Sequence, residues 1–141
     1  KETLLSMEGG LSVIDVGAGE CQYKEYCQHL VYKSQDFNQY TGQGNGDGLQ
    51  TGKWDTSQID IVSDITNIPV PNNSFDIVLC TEVLEHVPDP VAAINEMARI
   101  LKKGGIIAAW AYFLPTISLE IDLILKNFTE KTLKAFWKPG L

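Results

Sequence analysis

Two glycines and a recurring set of carboxylates carry the residue types that can do chemistry in this chain. Asp15, Gly17 and Gly19 form Asp-x-Gly-x-Gly at the end of the apolar run "LSVIDVG", residues 11–17. Glycines there let backbone approach a ligand with no Cβ in the way and aim N–H groups of the next helix at it. In the dinucleotide fingerprint a third glycine follows, beneath a pyrophosphate; here that position is Gln22. The phosphate-binding pattern that ends in Lys followed by Ser or Thr is absent. Hydrolysis of ATP or GTP loses its support, nicotinamide dinucleotides lose their most specific residue, and the acid at 15 suits a cationic ligand better than a pyrophosphate.

Further polar residues recur at the ends of later apolar runs. Asp36, 21 residues after Asp15, closes "VYKSQDF" at 31–37, where a carboxylate can accept both hydroxyls of a ribose. Asp64 closes "IDIVSD" at 59–64 and could accept from an adenine amino group. Thr81 and Glu82 follow "FDIVLC" at 75–80 and should lie beside the glycine turn. Each alone reads as a solvated loop residue; jointly they mark one cleft. His86 is the histidine nearest that cleft and a candidate general base, as is Glu85, with capping or packing the alternative. His29 reads as a surface or packing residue.

The elements that must position these residues alternate between β-branched runs and helical lengths, the pattern of a parallel sheet with crossovers. Strands are expected at 11–17, 31–37, 59–64 and 75–80, with a fifth inside 104–113 after a turn at Gly104-Gly105. Residues 20–30 suggest a weak helix. The better helix starts at Asp89-Pro90, an N-cap followed by proline at the first helical position, with Val91, Ile94, Met97, Ala98 and Leu101 on one apolar face. The glycine-rich stretch 41–58 reads as a long surface loop.

Composition narrows the class. The 141 residues are 44% apolar, enough for one domain with a sizeable core, and the net charge of −7 argues against a nucleic-acid partner. No apolar run reaches the roughly 18 residues of a bilayer span, and "KETLLSMEGG" lacks the pattern of a signal peptide, so the expectation is a cytoplasmic protein. Cys21, Cys27 and Cys80 include no C-x-x-C pair and read as buried or incidental thiols, with no metal site.

With "VIDVGAGE", the acid of "QDF" and above all "FDIVLCTEVLEHVPDP" and "ILKKGG" in this order, the chain resembles the class I S-adenosylmethionine-dependent methyltransferases, in particular the small-molecule group that includes the quinone-biosynthesis enzymes. The resemblance covers roughly residues 11–110. It implies a Rossmann-like three-layer α/β sandwich, sheet order 3-2-1-4-5, and S-adenosylmethionine as cofactor. It places Asp15, Gly17 and Gly19 around the methionine portion, Asp36 on the ribose, Asp64 and Ile65 at the adenine and Thr81 near the methionine end, with Ala18, Phe37 and Glu82 completing the cofactor-binding set. The expected partner is a small-molecule methyl acceptor; a non-catalytic cofactor-binding or scaffold subunit is the alternative.

Against the family pattern, the sixth and seventh strands and a helical cap before the first strand are missing. The expectation is therefore a single domain over 1–141, incomplete at its C-terminal end through truncation, mobile segments or both, with a natural short form that completes its sheet through a partner as the alternative. An open fifth-strand edge or the apolar aromatic segment 111–138 would then invite a homodimer.

Overall fold

The computed structural model describes residues 1–40, 43 and 52–110. Five strands form one sheet in the order β3-β2-β1-β4-β5, and every pairing is parallel: β1 (Ser12–Val16), β2 (Val31–Asp36), β3 (Ile61–Val62), β4 (Phe75–Thr81) and β5 (Leu101–Trp110). This is the expected order. The C-terminal segment 111–138, after which the sixth and seventh strands are expected to be missing, lies outside the described residues, as does most of the glycine loop.

Because both faces of a parallel sheet are covered, β1 and β4 read as nearly continuous apolar runs and are buried along most of their length. On one face, Ile14, Val16, Val78 and Cys80 pack with Ile94, Met97 and Ile100 of α2 (Pro90–Ile100). On the other, Val13, Ile77 and Leu79 meet Leu4 of the single-turn α1 (Glu2–Leu5), Cys27 and Leu30. All three cysteines are buried free thiols. No helix among the described residues is long and apolar enough to cross a membrane.

Asp89 caps α2 as expected, its Oδ1 accepting from Ala92 N–H at 2.9 Å, with Pro90 at the start. The helix ends one residue early: Leu101 already pairs with Phe75 in β5. The buried face also contains Ala93, Ile100 and an acid, Glu96. Glu96 is covered because it accepts from Ile68 N–H at 2.7 Å and from Arg99, whose guanidinium also donates to the carbonyls of Ile68 and Val70, tying α2 to the approach to β4.

Three other expectations need correction. Residues 20–30 form turns and a short 3-10 helix, Lys24–Cys27, with no α-helix. Cys21 sits at φ +57°, and the N–H groups of Cys21, Lys24 and Tyr26 donate three residues back, the tighter 3-10 pattern. The third strand shrinks to Ile61–Val62, since Asp60 is taken by Ser34 and Asp64 by a turn onto Thr66. Gly104-Gly105 does not precede β5 but lies inside it, beside a register shift between Phe75 and Ile77; a Cβ on Gly105 would stand 2.7 Å from the carbonyl oxygen of Asp76.

Candidate functional site

The strand order reverses between β1 and β4, and a ligand crevice is expected outside the carboxyl ends of the strands there. A cavity of about 710 Å³ occupies that position, lined by residues from the ends of β1, β2 and β4 and from the segment after β3. Of the expected site residues, Gly17, Ala18, Gly19, Asp36, Phe37, Asp64, Ile65, Thr81, Glu82 and His86 all line it.

Asp15 does not line it. Strand alternation turns its side chain toward the Val13 face, where it is 1% exposed and accepts from the Tyr32 hydroxyl at 2.7 Å. Burial pushes this carboxyl up to about 6, against the Tyr32 hydrogen bond and with a further push from Asp36. The same environment raises the Tyr32 hydroxyl, through burial first and then the Asp15 charge.

The glycine turn also departs from expectation. The N–H groups of Gly17 and Ala18 both donate to the Gln35 carbonyl, at 2.8 and 3.0 Å, and that of Gly19 donates to Asp36 Oδ2 at 3.1 Å. No α-helix follows, and these amides are spent inside the protein, so the turn offers no phosphate cradle. Both glycines remain necessary. Gly17 has φ +71° and a Cβ there would stand 2.4 Å from a Val83 methyl; Gly19 has φ +53°.

Asp36 is held at both oxygens, by Gly19 N–H and by Asn38 N–H at 2.7 Å, yet reaches the cavity. A carboxylate fixed by two backbone donors still has lone pairs to offer a ligand hydroxyl. Asp64 Oδ1 accepts from the Thr66 amide and hydroxyl, which hold this carboxyl below its ordinary range. Glu82, with φ +57°, is a backbone outlier at the end of β4, and its N–H donates to the Trp110 carbonyl. His86 lies exposed at the cavity's edge, in a 3-10 turn over Leu84–His86.

Several lining residues escaped the sequence reading. Gln35 is buried and bridges the turn to β3: its Oε1 accepts from Gly17 N–H at 3.3 Å while its Nε2 donates to the Ser63 carbonyl at 2.7 Å. Nothing in a lone Gln before an Asp announces that. Tyr40 and Trp54 form an edge-to-face pair, centroids 5.0 Å apart at 73°. The aromatic residues flanking a glycine-rich loop were the available signal. The carboxylates Glu20, Asp36, Asp64, Glu82 and Asp89 line the cavity, with no Lys or Arg among the described lining residues.

This sheet order, with the cleft at its switch point, defines a Rossmann-like α/β fold. The chain belongs to the family described as "Methyltransferase domain", which it matches over residues 14–109. It is 29% identical over 120 residues to a demethylmenaquinone methyltransferase of Staphylococcus epidermidis, covering 82% of this chain and 48% of that protein. A ubiquinone biosynthesis O-methyltransferase of Xanthomonas oryzae pv. oryzae is 66% identical over 32 residues, 23% of this chain and 13% of that protein. The crystal structure of a SAM-dependent methyltransferase from Aquifex aeolicus superposes with a TM-score of 0.62 at 18% identity, over 89% of this chain and 75% of that one, a likeness of fold. The chain spans about half the length of the demethylmenaquinone relatives and less of the ubiquinone ones.

Proposed function

We propose that this domain binds S-adenosylmethionine in the cavity at the switch point and directs its methyl group to a small-molecule acceptor. The observation that carries the reading is the donor set. Asp36 is a buried, pre-oriented acceptor suited to ribose hydroxyls, while the neighbouring glycine turn has no amides left for a pyrophosphate. Acidic residues, with no lysine or arginine among the described lining residues, suit a cofactor that carries a sulfonium and an ammonium.

In this reading Asp36 takes the ribose, with Phe37 beside it. Asp64 and Ile65 meet the adenine, and Gly17 to Gly19, Thr81 and Glu82 follow the methionine portion. Asp15 supports the turn from behind rather than touching the ligand. When bound, the cofactor supplies a methyl group already activated on sulfur. The chain then has to align the acceptor and exclude water. For a hydroxyl acceptor, His86, which lines the cavity, is the side chain we assign to take the proton as the acceptor oxygen attacks. The names of the two quinone-related relatives, the family match and the negative net charge favour a small acceptor over a nucleic acid.

Isothermal titration of the full chain with S-adenosylhomocysteine, with NAD as control, tests the reading. Binding of the first at micromolar level and not of the second is expected. A folded chain that binds neither, or binds NAD alone, overturns it. The base assignment is tested separately with a hydroxyl acceptor: His86→Ala should lower kcat by about 10²-fold or more with the cofactor KM unchanged.

A further inference from the structure

In the place of a helix after β1, a second segment is laid along the glycine turn. Residues 54–58 contact residues 19–24 at three successive points. The six-membered ring of Trp54 covers Gly19, its Cζ3 lying 3.1 Å from where a Cβ would stand. Asp55 N–H donates to Glu20 Oε1 at 3.0 Å, and Lys24 Nζ donates to Gln58 Oε1 at 3.1 Å. Asp55 Oδ1 in turn accepts from Ser57 N–H, bracing the segment from within. Tyr40 packs edge-to-face against Trp54 from the start of the same connection, and both rings line the cavity.

Trp54 therefore stands one residue from the acid assigned to the ribose, because the glycine it covers is the one whose N–H donates to Asp36 Oδ2. On the cofactor reading this contact puts Trp54 beside the ribose position and the sulfur that adjoins it, with Asp64, Ile65 and Thr66 elsewhere in the same lining. Indole is the aromatic surface that attracts a cation best, and among the described residues the acidic lining includes no competing lysine or arginine.

Resting on the cofactor reading above, we infer that Trp54, steadied by Tyr40, contacts the ribose and sulfonium portion of S-adenosylmethionine and favours the charged donor over its neutral product. The residue thus helps exchange spent cofactor for fresh. It is a specificity-determining contact contributed by the β2–β3 connection and not by the glycine turn.

The test compares the unsubstituted chain, Trp54→Phe and Trp54→Leu by titration with S-adenosylmethionine and with S-adenosylhomocysteine, each also followed by tryptophan fluorescence. Trp54→Leu should weaken binding of the donor by about 3- to 30-fold and of the product by less, lowering the preference between them. Trp54→Phe should retain most of that preference, and both variants should lose the ligand-induced fluorescence change, leaving Trp110 and Trp137 as the remaining tryptophans. An unaltered donor-to-product ratio in both variants, or a fluorescence change that survives the loss of Trp54, overturns the inference while the cofactor reading stands. Failure of the unsubstituted chain to bind either ligand removes both.

Discussion

Two pairs of aspartates on the same sheet are put to opposite uses. Asp60 and Asp76 stand where β3 and β4 begin, and each is locked to a serine one strand over. Ser12 donates to Asp76 Oδ2 through both N–H and Oγ, at 2.9 and 2.6 Å; Ser34 does the same to Asp60 Oδ2, at 2.9 and 3.0 Å. The aspartate amides donate back to the serine hydroxyls, and Lys102 and Lys33 neutralise the charge. Asp36 and Asp64, where β2 ends and beyond β3, are held by backbone amides and a threonine hydroxyl and have no Lys or Arg partner among the described residues. A carboxylate given its own cation is closed to others. One that is oriented but not neutralised, in the lining of a cavity, keeps lone pairs that the proposed cofactor could use.

The largest effect expected at the open end comes from Gly17→Val. Its Cβ would meet the Val83 methyls at 2.4 and 2.7 Å from a φ of +71°, combining overpacking with left-handed strain. Together these should cost about 2–5 kcal/mol of stability in denaturant unfolding, with cofactor binding lost. Asp36→Ala comes next. It should weaken S-adenosylhomocysteine binding by about 1–3 kcal/mol in titration calorimetry while the fold persists in circular dichroism. Equal affinity in a folded variant would erase the distinction between the two pairs of aspartates.

The comparison also shows what a sequence can disclose. The strand order, the capped helix and half of the lining residues were legible because they rest on local signals: β-branched runs, Asp89-Pro90, and polar residues recurring at strand ends. Glu96 is absent from the apolar face read in the sequence because its buried partner, the Ile68 amide, becomes a neighbour only after folding. The helix expected after β1 failed for a similar reason. Tyr23, Tyr26 and Cys27 have apolar spacing suited to a helix, but Cys21 at φ +57° breaks its start and residues 54–58 cover the turn instead. Asp15 was legible as a candidate and not as buried, since the Tyr32 hydroxyl that satisfies it lies on the neighbouring strand.

That burial yields a third prediction. With a folded pKa near 6, above the ordinary 3.8, Asp15 binds its proton more tightly in the native state. The stabilisation this gives is fully present below about pH 4 and is lost as the pH rises through 6. Asp15→Asn keeps an acceptor for Tyr32 without the charge. It should therefore match the unsubstituted chain near pH 4 and exceed it by on the order of 1–2 kcal/mol at pH 7 in urea unfolding. Unchanged affinity for S-adenosylhomocysteine in the same variant would fit a support behind the turn, whereas a tenfold loss would return Asp15 to the ligand.

The smallest effect separates the closed aspartates from the open ones by pH. Partial burial pushes the Asp76 carboxyl up, but the Ser12 and Lys102 hydrogen bonds outweigh it and hold the group at about 2. A depressed folded pKa contributes stability above the unfolded value near 4, and that contribution disappears as the pH falls through 2. The side chain is 27% exposed, so solvent screening reduces the gain, and Asp76→Ala should cost about 1 kcal/mol at pH 7. The deficit should shrink toward zero below about pH 2, with cofactor affinity at neutral pH unchanged. A deficit that stays constant down to pH 2 would show that Ser12 and Asp76 hold β1 to β4 by packing alone, and a loss of cofactor affinity would mean that the two ends of the sheet are not independent.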